Sequence, residues 1–358
     1  MKHWNARGGK LLDISKDLTE KRKTEHIRIS LNEDVEGKNI TTGLENYRFI
    51  PNALPELSFD EITLSTTFLN KEMRTPFLIS SMTGGTETAY QINQQLAKAA
   101  QEKGWAIGLG SMRAAVENED LAYTFQIRKY APDIPIIANI GAVQLNYDFG
   151  IDQCRQAVEM AEADMLVLHL NTLQEVFQPE GDTNFSHLLS KIEEIANSLH
   201  VPVGVKEVGM GIDEKTADRL TSAGIQFIDV AGAGGTSWIQ VESYRSNDSI
   251  RKEAAEAFLD WGLPTAESIL AVRKNNFSTP LIASGGLKNG VDAAKSIALG
   301  ANLAGFGRLL LPSAVENDVE ALLIQMERIE FEMRAAMFGI GAGRIEELAH
   351  SDRLIKKV

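Results

Sequence analysis

This sequence of 358 residues has one cysteine, no long apolar run and a shortage of positive charge. The single thiol, Cys154, excludes an intrachain disulfide and a cysteine-built zinc cage. No run approaches the roughly 20 apolar residues of a membrane span. The stretch from Met1 to Lys23 is polar and lacks the apolar middle of a signal peptide, so a cytoplasmic location is expected. Lys plus Arg number 36 against 49 Asp plus Glu, a net charge of -13. That balance argues against nucleic acid or an anionic membrane as a partner, because both need basic surface. It also raises a difficulty: such a chain should repel phosphorylated ligands unless its few positive charges are concentrated.

What is present is an ordinary soluble mixture, 44% hydrophobic and 24% charged, long enough for one large α/β domain or two average ones. Eight short apolar runs alternate with amphipathic stretches: Phe77–Met82, Ala106–Ser111, Pro135–Gly141, Met165–Asn171, Val201–Val208, Phe227–Gly232, Leu281–Gly286 and Leu303–Arg308. Each has strand length, and most end in turn residues. Between them, Gln91–Lys103 and Asp292–Leu299 read as helices stopped by Gly104 and Gly300. Eight βα units predict a closed (β/α)8 TIM barrel of the α/β class rather than an open sheet. The dinucleotide fingerprint of the open sheet is missing: Gly108-Leu109-Gly110 has no third glycine in place.

The expected organisation is a single domain, with a barrel core at about 77–312, an N-terminal arm and plug at 1–76 and a helical extension at 313–358. A strand pair around Glu61–Leu69 is expected to plug the barrel's bottom, and Ala314–Met337 to form a long helix. Two connections, Leu173–Ile192 and Gly234–Thr265, exceed what a crossover needs, as ligand-holding or closing loops do. Cys154 falls in an amphipathic stretch and reads as a buried helix residue.

In such a barrel chemistry sits where strands end. There the sequence places Ser80-Ser81-Met82-Thr83, Ser111-Met112-Arg113, Asn139, His169-Leu170-Asn171 with Gln174-Glu175 behind, and Lys206-Glu207. Strand alternation puts His169 and Asn171 on one face. Glu175 suits a lone carboxylate for Mg2+, an ion that keeps waters and takes phosphate oxygens. Lys206, in an apolar strand, needs either a carboxylate or an anionic ligand, because a buried ammonium is costly alone. Glycine groups after the last three runs (Gly232-Ala233-Gly234-Gly235-Thr236, Gly285-Gly286 and Gly307-Arg308) suit a phosphate cup of backbone amides.

Arg22-Lys23-x-Glu25-His26, Ser81-Met82-Thr83-Gly84-Gly85, Gly110-Ser111-x-Arg113, His169-x-Asn171-x-x-Gln174-Glu175 and Gly285-Gly286 together resemble the type 2 isopentenyl-diphosphate isomerases. The resemblance runs from about residue 20 to the end; Met112 stands where many members carry Gln. It implies a flavoenzyme interconverting isopentenyl diphosphate and dimethylallyl diphosphate, with FMN, Mg2+ and NADPH as reductant. It further implies that Ser80, Ser81, Met82, Thr83, Ser111, Asn139, Lys206 and Thr236 contact FMN, with Gly285, Gly286, Gly307 and Arg308 at its phosphate. Arg22, Lys23, His26, Ser111, Met112 and Arg113 would bind the diphosphate. His169, Asn171 and Gln174 would form the catalytic group, Gln174 also touching substrate, and Glu175 would hold the metal. A homo-oligomer, tetramer or octamer, goes with the resemblance.

The rival enzyme reading is an FMN-barrel oxidoreductase, which leaves the Arg22-Lys23 arm and Glu175 unexplained. A purine-nucleotide dehydrogenase would need a cysteine in Gly232–Ile239, and there is none. A non-catalytic phosphate-binding barrel would have lost the inward His, Lys and carboxylate groups. The difficulty over charge narrows accordingly. Arg22, Lys23, Arg113, Lys206 and Arg308 are expected to converge on one barrel mouth, leaving the acidic excess outside.

Overall fold

The computed structural model describes residues 21–357; the first twenty residues of the expected arm lie outside them. Eight parallel strands close into a barrel. In chain order they are β1 (Phe77–Ile79), β2 (Ala106–Gly108), β3 (Ile136–Gly141), β4 (Met165–His169), β5 (Val203–Lys206), β6 (Phe227–Asp229), β7 (Leu281–Ala283) and β8 (Leu303–Phe306). Every expected run contains one. Strands covered on both faces read as continuous apolar segments, and this is why the runs were visible. The expected helices are Glu87–Lys103, ended by Gly104 at φ 74°, and Gly290–Ala298. The long C-terminal helix is Val319–Ile340, later than its expected start because Leu311–Val315 forms a separate short helix.

Alternation along the strands sorts side chains between the barrel's inside and its jacket of helices. Leu78, Ala106, Ile137, Met165, Val167, Phe227, Ile282 and Leu303 pack together as an apolar floor. Gly204 makes room there, because a Cβ at that position would stand 2.4 Å from the Phe227 ring. One step further along the same inward faces come Asn139, His169, Lys206, Asp229 and Ser284. The barrel is therefore oily below and polar at its mouth.

The bottom is closed by a hairpin, Thr66–Phe68 paired with Lys71–Met73. Phe68 and Met73 join the floor cluster, and Phe68 meets the Phe227 ring edge-on at 5.9 Å between centroids. The plug is as expected, but its pair starts after Glu61, which belongs to a short 3-10 turn. The long connections also differ from open loops. Gly234–Thr265 contains helices Trp238–Arg245 and Ser249–Glu256, and Leu173–Ile192 contains most of helix Thr172–Phe177. Cys154 is buried on helix Ile151–Ala161, and burial pushes its thiol up to about 12. Among the described residues no helix is long and apolar enough to cross a membrane.

Phe68 anchors the plug with 2% of its surface exposed. Phe68→Ala should therefore lose about 3–5 kcal/mol of stability, as buried Phe truncations do. Denaturant unfolding checks this, with far-UV circular dichroism confirming an unchanged fold.

Candidate functional site

A cavity of about 480 Å³ opens at the mouth. It is lined by Ser80, Ser81, Met82 and Thr83 after β1, Lys206 at the end of β5, and Thr236, Gly285, Gly286, Gly307 and Arg308 around its rim. Lys23 and His26 close it from above, on a helical segment of residues 21–32. Sequence positions separated by nearly the whole chain thus meet in one space.

Two features fit this cavity to a flavin mononucleotide. The hydroxyls of Ser80 and Thr83 are buried with no hydrogen-bond partner, so the strand end presents polar atoms awaiting a ligand. Around the rim, Gly285 (φ 101°) and Gly286 (φ 77°) adopt backbone that side chains rarely take, and a Cβ on Gly235 would stand 2.5 Å from the Gly286 nitrogen. Only bare backbone fits there, which suits a phosphate.

Below the rim the polar groups are tied to one another. Lys206 is buried and donates to the Glu207 carbonyl at 2.6 Å. Burial lowers its pKa, with the charges of Asp229 and Glu207 offsetting part of that. Ser284 in turn donates to Asp229 at 2.6 Å. Glu207, pushed up to about 7 by burial, accepts the backbone N–H groups of Val208, Gly209 and Met210 on one oxygen. Its carboxylate shapes the turn after β5.

His169 has a defined tautomer. Asn139 donates its amide N–H to the Leu109 carbonyl at 3.0 Å, so its oxygen faces His169 Nδ1, 2.8 Å away. Nδ1 must then carry the proton and Nε2 the lone pair. Burial, reinforced by Lys206 and Lys23, holds this imidazole down to about 3. Lys23 is itself lowered to about 7 by burial and by the Arg22 charge.

Beside His169 lies a second polar knot. Glu175 is buried and accepts from Asn171 Nδ2 at 2.7 Å and from the Asp182 backbone N–H at 2.7 Å. Asp182 also receives Arg113 at 2.5 Å and Gln144 Nε2 at 3.2 Å. With their amide nitrogens pinned by carboxylates, Asn171 Oδ1 and Gln144 Oε1 are left buried and without partners. Buried oxygen acceptors next to a carboxylate fit a hard cation such as Mg2+. Among the described residues no cluster of three His, Cys, Asp or Glu could hold a metal, so any such ion would lean on Glu175 and on ligand oxygens.

The third knot centres on Glu242, whose side chain is fully buried. It accepts from His26 at 2.8 Å, from Gln174 Nε2 at 3.2 Å and from Arg245. Burial raises this carboxyl's proton affinity, but the His26 bond and the Arg245 charge outweigh it and hold Glu242 below the usual range. Arg245 also binds Glu25 and Glu180, and Glu180 reaches Arg22 at 3.7 Å.

The structure therefore gathers Lys23, His26, Ser80 to Thr83, Lys206, Thr236 and the glycine cup with Arg308 around one cavity. Asn139, His169, Asn171, Gln174, Glu175, Arg22 and Arg113 stand in the adjoining knots. Ser111 lies outside the cavity lining, and the Met112 side chain is fully buried in the hydrophobic core. Glu242, Arg245, Asp229, Gln144 and Asp182 were missed by sequence reasoning. The one available signal was the Glu242–Arg245 spacing, which reads as a surface pair on a helix.

Comparison with known proteins places the chain in a family. Residues 144–356 match the FMN-dependent dehydrogenase family. An isopentenyl-diphosphate delta-isomerase from Oceanobacillus iheyensis is 54% identical over 93% of this chain and 95% of its own length. Enzymes of the same name from Nostoc sp. and Rickettsia felis are 51% and 46% identical, each over 94% of this chain and at least 96% of their own. Among solved structures, a mutant flavocytochrome b2 with pyruvate bound superposes with a TM-score of 0.68 at 15% identity, covering 92% of this chain and 82% of that one. A mutant (S)-mandelate dehydrogenase gives 0.65 at 16% identity, covering 96% and 99%. At such identities the last two show the fold alone.

The lowered His169 pKa has a thermodynamic consequence. Between pH 6.5 and about 3 the unfolded chain binds a proton that the folded His169 refuses. Stability should fall on acidification through that window, by up to about 1.4 kcal/mol per pH unit from this group. His169→Gln should remove that part of the slope, seen as unfolding curves at pH 4.5 and pH 7 that lie closer together than in the parent.

Proposed function

The chain belongs to the isopentenyl-diphosphate delta-isomerases of the FMN-dependent dehydrogenase family, and from that premise we propose how its site works. The substrate pair is isopentenyl diphosphate and dimethylallyl diphosphate, handled in the cytoplasm with FMN reduced by NADPH and with Mg2+ on the diphosphate. The observation that carries this reading is the convergence of Lys23 and Lys206 on a cavity whose rim is a bare-glycine cup, with His169 within electrostatic reach of both.

Ser80 and Thr83 would hold the flavin ring with their unpartnered hydroxyls, Lys206 would lie against it, and the Gly285-Gly286 turn would hold its phosphate. When bound, reduced FMN would supply an electron-rich face and a proton-carrying nitrogen beside the alkene. The chain's own residues do the rest. Arg22, Lys23 and Arg113 bind the diphosphate, a poor proton site but a good handle, and remote binding energy holds the alkene in place. Lys23 is partly neutral in the free protein near pH 7. An anion raises its proton affinity, so binding takes up a proton there.

Neutral His169 offers Nε2 as an acceptor without adding a cation beside a positively charged transition state. Gln174 is fixed at both ends, donating to Glu242 and accepting from Asn171 at 3.3 Å, so its amide presents one orientation to the alkene. Glu242 supplies a buried negative charge at the same wall. Glu175, aided by the free oxygens of Asn171 and Gln144, would seat the metal on the diphosphate. Ile324 and Phe331, exposed on one side of the C-terminal helix, would be covered in a tetramer or octamer.

Purified protein mixed anaerobically with FMN, Mg2+ and NADPH should convert isopentenyl diphosphate to its dimethylallyl isomer, with NADPH consumed only once, to reduce the flavin, and none consumed per turnover. Bound, reduced flavin without isomer formation would sink this reading, and NADPH loss that continues in step with substrate turnover would favour an oxidoreductase. Glu175→Gln should keep the flavin's absorbance while losing at least about a hundredfold in Mg2+-dependent turnover, the scale of a removed charged group in a site. Retention of normal metal dependence in that variant would remove Glu175 from the metal site.

A further inference from the structure

The rim of the cavity also holds a residue with no place in the scheme above. Glu36 lines it, and its carboxylate binds both side-chain cations of the phosphate cup: Oε1 takes Arg308 Nη2 and Oε2 lies 3.5 Å from Lys288 Nζ. The main chain delivers it there. Ser237 N–H donates to the Val35 carbonyl at 2.7 Å, Lys38 N–H donates to the Leu259 carbonyl at 2.8 Å, and residue 36 bridges antiparallel to Thr236. Val35 is fully buried against Ile29 and Val241. Glu36 is thus held at the rim by backbone and core packing on either side.

The position has an electrostatic consequence. A phosphomonoester carries about 1.5 to 2 negative charges near pH 7 and would seek the same two cations. Glu36 already offsets part of their charge, and a carboxylate beside a phosphate is a like-charge contact. We propose that Glu36 competes with the cofactor phosphate for Arg308 and Lys288, lowering FMN affinity through the phosphate alone and leaving the ring's share of binding untouched. The inference rests on the flavin reading of the cavity. Riboflavin, which has the ring and lacks the phosphate, separates the two.

The test is titration of full-length flavin-free protein with FMN and with riboflavin, followed by quenching of flavin fluorescence. In Glu36→Gln, FMN should bind about three- to tenfold more tightly than in the parent, the scale of a half-exposed ion pair. Riboflavin should bind equally to both. The advantage should shrink in high salt, which screens exposed charges. An unchanged or weaker FMN constant overturns the proposal, and so does equal tightening for riboflavin, which would mean that the pocket had simply opened. Glu36→Ala repeats the comparison. Loss of riboflavin binding in both variants would make Glu36 structural and also overturn it. A parent protein that binds neither flavin overturns the cavity assignment and this inference together.

Discussion

Lys206 ends a strand inside a closed barrel, and the burial of its ammonium is the constraint around which the mouth is organised. A charge taken out of water must find compensation nearby or neutralise. Here the compensation is distributed: the Glu207 carbonyl accepts its hydrogen bond, and Asp229, itself held by Ser284, lies within electrostatic reach. Burial keeps His169 neutral, and the Lys206 charge reinforces this by disfavouring a second cation in the same low-dielectric space. Neutral imidazole, oriented by Asn139, thus sits beside the buried lysine without competing with it for compensation. A ligand with negative character near Lys206 would improve the balance of the entire layer.

The arm solves a related problem from the other side. Arg22 and Lys23 gather above a mouth that already contains Lys206, so positive charges crowd one another before any ligand arrives. Glu180, Glu242 and Glu25 absorb part of this through Arg22, His26 and Arg245. The acidic excess of the chain is therefore not wholly an exterior matter. Some of it is spent inside the site, where it keeps the cations apart and oriented.

The architecture was legible because its physics is local. Parallel strands buried on both faces read as apolar runs, and Gly104 and the glycine groups mark turns by their backbone freedom. Strand alternation puts His169 on one face with Asn171 and Lys206 on one face with Gly204, and in the barrel both His169 and Lys206 are enclosed by its inner layer. The missed residues depend on contacts remote in sequence. Glu242 meets His26 across 216 positions and Gln174 across 68, while its own helix offers nothing beyond an acid three residues before an arginine. Gln144 lies in the 3-10 segment Ala142–Asn146 and Asp182 in irregular chain, whose paths no periodicity describes. Met112 differs in another way: it stands next to the expected site residues, and its side chain is buried in the core.

The hairpin plug makes the barrel a vessel with one opening. Phe68 and Met73 seal the lower end against the floor, so nothing that enters the cavity can leave through the base. The glycine cup and Lys206 lie below the arm, and the arm's own cations lie above them. A molecule seated on Lys206 is consequently covered by whatever Lys23 and Arg22 hold. With the base sealed, a deeper guest would have to arrive before a shallower one and leave after it.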